Sequence, residues 1–95
     1  MITSTANQQV KQLIQLNKKR KLRDERGVFV AEGFKMFREA PRERIEKVYV
    51  SESFLEAHRQ ELDLEKLSWE VMQDSVFRAA SDTQTPQGVL CIVKQ

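Results

Sequence analysis

The chain has 95 residues, 40% of them hydrophobic and 32% charged, with three Gly, two Pro and one Cys. That composition fits one globular domain burying about 65% of its extended-chain surface, and it excludes a disordered, collagen-like or linker chain. The net charge of +2 conceals a split: residues 1–26 hold seven Lys or Arg against two acidic residues, net +5, and residues 27–95 hold nine against twelve, net −3. Such asymmetry points to a polyanionic partner for one face. The longest apolar run, Val89 to Val93, is far shorter than the roughly 20 residues of a membrane span. Met1 to Gln9 is too polar for a signal segment. Cys91 has no partner for an internal disulfide, so a reducing, cytoplasmic home is expected.

In chain order, Ser4 or Asn7 caps a first helix that is expected to run to about Leu22, with Val10, Leu13 and Ile14 on one face and Leu16 beside them. Lys18, Lys19, Arg20 and Lys21 then fall in its last turn, where cations suit the negative end of the helix dipole. The whole basic arm spans about residues 5–26, and Gly27 closes it. Val28 to Ala31 reads as a buried strand, Gly33 as a turn, and Phe34 to Ala40 as a helix stopped by Pro41. Ile45 to Val50 reads as a strand, and Ser53 with Glu56 as a capping box for a helix to about Leu62. Ser68 to Met72 reads as a third strand with Trp69 and Val71 on one face. Asp74 to Ala80 reads as a helix offering Val76, Phe77 and Ala80 to the core. A polar loop, residues 81–87, leads through Gly88 to a last strand, Val89 to Val93. Strict alternation of helix and strand predicts a sheet with helices on both faces.

The basic run from Lys18 to Arg26 is the sharpest chemical feature, since each cation that reaches a phosphate releases counterions. A solvated helix terminus explains the same residues. About three of the four consecutive cations can share one surface. The run has no interleaved aromatics and no long apolar face, which disfavours a membrane-surface helix and base stacking within it. Gly33 lies between strand and helix with Lys35 and Arg38 following, a geometry that admits phosphate; a simple turn is the alternative. Neither phosphate-loop pattern is present. Glu32 reads as a capping or loop-bridging carboxylate. Thr83, Gln84 and Thr85 belong to a polar loop that can meet ribose or base edges, or can merely shape a turn. His58, the only histidine, is expected on an exposed helix face, Cys91 as a buried small hydrophobe, and Trp69 and Phe77 in the core. One His and one Cys at unrelated positions supply neither a metal set nor a catalytic constellation.

Two segments carry a resemblance. Ile2-Thr3-Ser4 with Asn7, Val10 and Lys11, the basic run to Arg26, and Gly27-Val28-Phe29-Val30-Ala31-Glu32-Gly33 form one stretch; Thr85-Pro86-Gln87-Gly88-Val89 forms the other. In this order and separation they resemble the N-terminal substrate-binding domain of SpoU-type RNA 2′-O-ribose methyltransferases, of the trefoil-knot (SPOUT) class, over nearly the whole chain. The resemblance implies a three-layer α/β/α sandwich around a mixed sheet of about four strands, similar to small ribosomal and kink-turn RNA-binding proteins. It also implies a single RNA substrate-binding domain over residues 1–95, with the α/β body at about 27–93 and ribosomal RNA the foremost partner. The RNA-facing set would be Lys18, Lys19, Arg20, Lys21, Arg23, Arg26, Gly33, Lys35, Arg38, Thr83, Gln84 and Thr85. S-adenosylmethionine, the catalytic motifs and homodimerisation would belong to a knotted domain that does not follow before Gln95, which reads as an excised or truncated domain. The 95 residues alone are then expected to be inactive, without cofactor or metal, and free to be monomeric. Phe34 departs from the family, which carries a short polar residue or proline there; an exposed aromatic at this place can stack on a base, or it can be the first core residue of the helix.

Two other classes fit the residues. A stand-alone RNA- or ribosome-binding module would share the fold, and a protein–protein interaction domain would carry its basic arm only for solubility.

Overall fold

The computed structural model describes all 95 residues. Four strands form one mixed sheet: β1 (Val28–Glu32), β2 (Ile45–Ser51), β3 (Trp69–Met72) and β4 (Val89–Lys94), in the order β1-β4-β2-β3. β4 pairs antiparallel with both β1 and β2, whereas β2 and β3 are parallel. Five helices surround it: α1 (Gln8–Lys18), α2 (Arg20–Arg26), α3 (Phe34–Glu39), α4 (Glu52–His58) and α5 (Asp74–Ala80), with a short 3-10 turn at Arg42–Arg44.

The period of two in the strands divides the interior into two cores. Val28, Tyr49, Met72, Leu90 and Ile92 face one layer, where Val10, Leu13 and Leu16 of α1 and Val76, Phe77 and Ala80 of α5 cover them. Ala31, Val48, Val50, Val89, Cys91 and Val93 face the other, under Phe37 of α3 and Phe54 of α4. This is the α/β/α sandwich that the resemblance implies. β4 is central, and residues 89–93 are all buried, which is why that run is apolar throughout.

The first helix differs from the expectation of one helix. Asn7 is its cap, its Oδ1 accepting from the Gln9 N–H at 2.8 Å. The helix stops at Lys18, because Lys19 is extended (φ −114°, ψ 101°), and α2 starts afresh at Arg20. The apolar stripe accounts for the break: it ends at Leu16, and the chain must turn for Leu22 to pack on the same core. α2 ends at Gly27, whose left-handed φ of 67° lets its N–H reach the carbonyls of Arg23 and Asp24.

Three further expectations are corrected. α4 is capped by Ser51, whose hydroxyl accepts from the Phe54 N–H at 3.2 Å, so Ser53 and Glu56 form no capping box and the helix ends at His58. Trp69 is 39% exposed because β3 is an edge strand. His58 is half-buried, its ring 4.3 Å from that of Phe54. Ile2 extends the edge of β3 by one bridge: its N–H donates to Val71 and its carbonyl accepts from Gln73, both at 2.8 Å.

Candidate nucleic-acid interface

The two segments singled out in the sequence meet in space. Glu32, the last residue of β1, accepts from the Ser81 hydroxyl at 2.7 Å through Oε1 and from the Asp82 N–H at 3.0 Å through Oε2. It is thus the loop-bridging carboxylate. One residue on, Gly33 turns with φ 97°, and Gln87 Oε1 accepts the Phe34 N–H at 2.8 Å. A side chain at Gly33 would place Cβ 2.9 Å from that same Gln87 oxygen. The close approach of Gln87 therefore requires the glycine, and the N–H group that opens α3 is already taken.

The corner between α1 and α2 is braced to the same loop. Asn17 Nδ2 donates to the Ala80 carbonyl at 2.9 Å, fixing the end of α1 against the end of α5 and the start of the loop. Arg23 Nη1 donates to the carbonyls of Leu16 and Asn17 at 2.8 and 2.9 Å, closing the C-terminus of α1 that the break at Lys19 leaves open. At the far end of α1, Gln9 joins the helix to the sheet. It donates to Glu70 at 2.8 Å and accepts from the Tyr49 hydroxyl at 2.8 Å. Burial, and then the nearby Glu70 and Glu46, push the Tyr49 phenol up to about 12, so it stays a donor. Burial alone pushes the Cys91 thiol up to about 11, as an inert core cysteine requires.

These contacts sort the sequence-derived residues. Lys18, Lys19, Arg20 and Lys21 are all exposed at the α1–α2 corner. Only Arg20 approaches an acid, Asp24 at 3.8 Å, and that pair is solvated. Arg20 and Lys21 open α2 instead of closing α1, so they face the positive end of a helix dipole, which costs about 0.3–1 kcal/mol each. Helix stability does not explain cations there. Arg23 is occupied by α1 carbonyls, and Arg26 by Glu46 at 2.6 Å. Arg26 ends α2, before the whole length of β1, about 17 Å of strand, that leads to Gly33. Lys35 and Arg38 are exposed on α3 beyond the turn. Thr83 folds back on Ser81, with its N–H at 3.2 Å and its hydroxyl at 3.1 Å from the Ser81 oxygen; Gln84 and Thr85 remain exposed. The corner, the loop and the Gly33 turn thus join through Asn17, Glu32 and Gln87, while Arg26 stands apart.

Sequence reasoning misses Asn17, and it reads Gln87 as a motif residue without its contact; with Glu32 these side chains tie the parts together. Asn17 carries a signal, since it directly precedes the four cations. The Phe34 ring packs edge-on against Phe54, 5.6 Å between centroids at 84°. Both Phe34–Arg38 and Phe54–His58 are i,i+4 pairs on helices, a spacing that places side chains together.

No three His, Cys, Asp or Glu side chains converge into a metal-binding set, and no helix is long and apolar enough to cross a membrane. A groove of about 1000 Å³ runs along the outer edge of β3 between Ile2, Leu55, Arg59 and Trp69. Every buried side-chain N or O already has a hydrogen-bond partner within the chain.

An α/β/α sandwich with a braced cationic corner and a polar loop is the build of a binding domain. Comparison with known proteins makes this specific: the model of the MRM3-like substrate binding domain matches residues 7–91, and the chain belongs to that family. Among solved structures, it is similar to an RNA 2′-O ribose methyltransferase, at 28% identity and TM-score 0.81, over 98% of this chain and 36% of that one. It is also similar to the AdoMet-bound rRNA methyltransferase from Sinorhizobium meliloti, at 25% identity and TM-score 0.74, over 99% of this chain and 36% of that one. The SpoU methyltransferase AviRb from Streptomyces viridochromogenes shares the fold at 16% identity and TM-score 0.67, over 94% of this chain and 33% of that one. No curated protein sequence matches significantly. The chain spans about a third of the length of the solved structures it resembles.

Proposed function

We propose that this chain is the RNA-gripping part of an S-adenosylmethionine-dependent ribosomal RNA 2′-O-ribose methyltransferase, acting in the cytoplasm. One observation carries the reading: four exposed cations, two of them set against a helix dipole, are braced by Asn17 onto the loop that the family's two signature segments build together. Lys18, Lys19, Arg20 and Lys21 would neutralise phosphates, with Lys35 extending the patch across the Gly33 turn. Gln84 and Thr85, free of partners within the chain, would meet sugar or base edges, where a 2′-hydroxyl separates RNA from DNA. Arg23 and Arg26 would act mainly by holding α2 in place. The methyl donor, the reacting groups and the dimer contacts would lie in the remainder of the enzyme, and the 95 residues alone would bind without turnover.

The test is binding to a structured ribosomal RNA fragment beside the variant with Lys18, Lys19, Arg20 and Lys21 changed to Glu. The reading expects a loss of at least about tenfold at low salt, with the fold intact by circular dichroism. Unchanged RNA binding by the folded variant would remove the corner as the RNA grip, and absence of RNA binding by the wild-type chain at low salt would instead favour a protein-interaction domain with a solubilising arm.

A further inference from the structure

Arg38 is the one exposed arginine whose guanidinium sits over an aromatic ring. Its Cζ is 4.4 Å from the centroid of Phe34, the residue four positions earlier on α3. It makes no hydrogen bond and no ion pair, whereas Arg23, Arg26 and Arg42 are occupied by carbonyls or carboxylates and Arg20 lies near Asp24. Phe34 is itself fixed from behind. The Phe54 ring meets it edge-on, and His58, 4.3 Å from Phe54 and tilted by 31°, closes the cluster at 5.8 Å from Phe34. Phe54 is buried, and Gly88 packs so close to it that a Cβ there would lie 2.6 Å from the Phe54 Cβ. Gln87 holds the Phe34 N–H. The stack is therefore seated on the same loop end that forms the RNA-facing surface.

A planar, weakly hydrated cation held on a ring is a different object from a lysine. A phosphate contact needs only charge, which Lys35 already offers one turn earlier, and gains nothing from the ring beneath. A guanidinium backed by a ring and exposed to solvent offers a small planar face on which a base can stack, with donors at its rim. Bases within a duplex have both faces covered, so only a base splayed out of the helix can use it.

We propose that Arg38, backed by Phe34, is a stacking platform for an unpaired nucleobase, so that the ligand is an RNA stem carrying a bulged or looped-out nucleotide. This rests on the RNA-binding reading above and narrows it: the cationic corner holds the paired stem, and the platform takes the unpaired base.

The experiment compares two hairpins of identical stem, one fully paired and one with a single unpaired 2-aminopurine. They are titrated with the 95-residue chain, with R38K and with F34L. The expected result is binding of the bulged hairpin about tenfold more tightly than the paired one, the worth of one stacked base, with a rise in 2-aminopurine fluorescence as the base leaves the RNA stack. R38K, which keeps the charge and alters one exposed side chain, should bring the two affinities together and abolish the rise without changing the salt slope. F34L should do the same provided it folds; R38K decides the matter if it does not. The proposal is overturned if R38K keeps both the preference and the fluorescence rise, which would make Arg38 a phosphate contact, or if the wild-type chain binds the two hairpins equally. Binding of neither hairpin at low salt would overturn the RNA reading itself, and this proposal with it.

Discussion

Gly88 holds a φ of +121°, and a Cβ there would lie 2.4 Å from the Ser51 hydroxyl and 2.6 Å from the Phe54 Cβ. Gly27 also has a positive φ, +67°, but nothing approaches the place where its Cβ would be within 4 Å. The first glycine is demanded by packing and backbone together, the second by backbone alone. Gly88→Ala is accordingly expected to cost more than about 3 kcal/mol, because both neighbours are rigid parts of the core edge. Gly27→Ala is expected to cost about 1–2 kcal/mol, the strain of a left-handed residue. Urea unfolding of the two variants measures the difference, and equal losses would contradict it. The sequence shows that these positions are glycine, and the Thr85-Pro86-Gln87-Gly88 segment is legible as a motif. The partner that makes Gly88 indispensable, Phe54, lies on α4, far back in the sequence, and is not. The same holds for Gln87, whose role depends on Phe34 across the turn.

At the scale of elements, the α1–α2 break is where propensity and tertiary packing disagree. Nothing between Asn7 and Arg26 is Pro or Gly, and the local residues favour a continuous helix. The structure breaks it at Lys19 so that Leu22 reaches the core, and Arg23 then satisfies two of the carbonyls left at the end of α1. Arg23→Ala is expected to destabilise the chain by about 1–3 kcal/mol, the range for losing charge-assisted hydrogen bonds to partly buried carbonyls. Amide hydrogen exchange should speed up in α2 before it does in β4. Wild-type stability in this variant would show that the break is held by Leu22 alone. Capping shows the same limit at smaller range. Ser51 and Ser53 are equally good caps by composition, and the end of β2 decides for Ser51. By contrast, the strand and helix identities were legible throughout, because the short β-favouring runs at β1, β2 and β4 are bounded by Gly, Pro or polar turns.

For the whole molecule, alternation of elements made the sandwich legible, while the strand order β1-β4-β2-β3, which puts the last strand in the middle, was not. That order is what gathers the site. With β4 beside β1, the loop entering β4 meets the turn leaving β1, and two segments far apart in sequence become one surface. The charge split was equally legible as a number, but the sequence could not show that Arg23 and Arg26 are occupied internally while Lys18 to Lys21 stay exposed. Four exposed cations on one corner make a quantitative statement. If about three of them reach phosphates, the slope of log affinity on log salt should be about −3 for their share of the binding. The most direct measurement is therefore that slope, for a structured ribosomal RNA fragment, in the wild-type chain and in the variant with all four cations changed to Glu. The account predicts a clearly negative wild-type slope that flattens by about three in the variant. A slope near zero, or the same slope in both proteins, would contradict it.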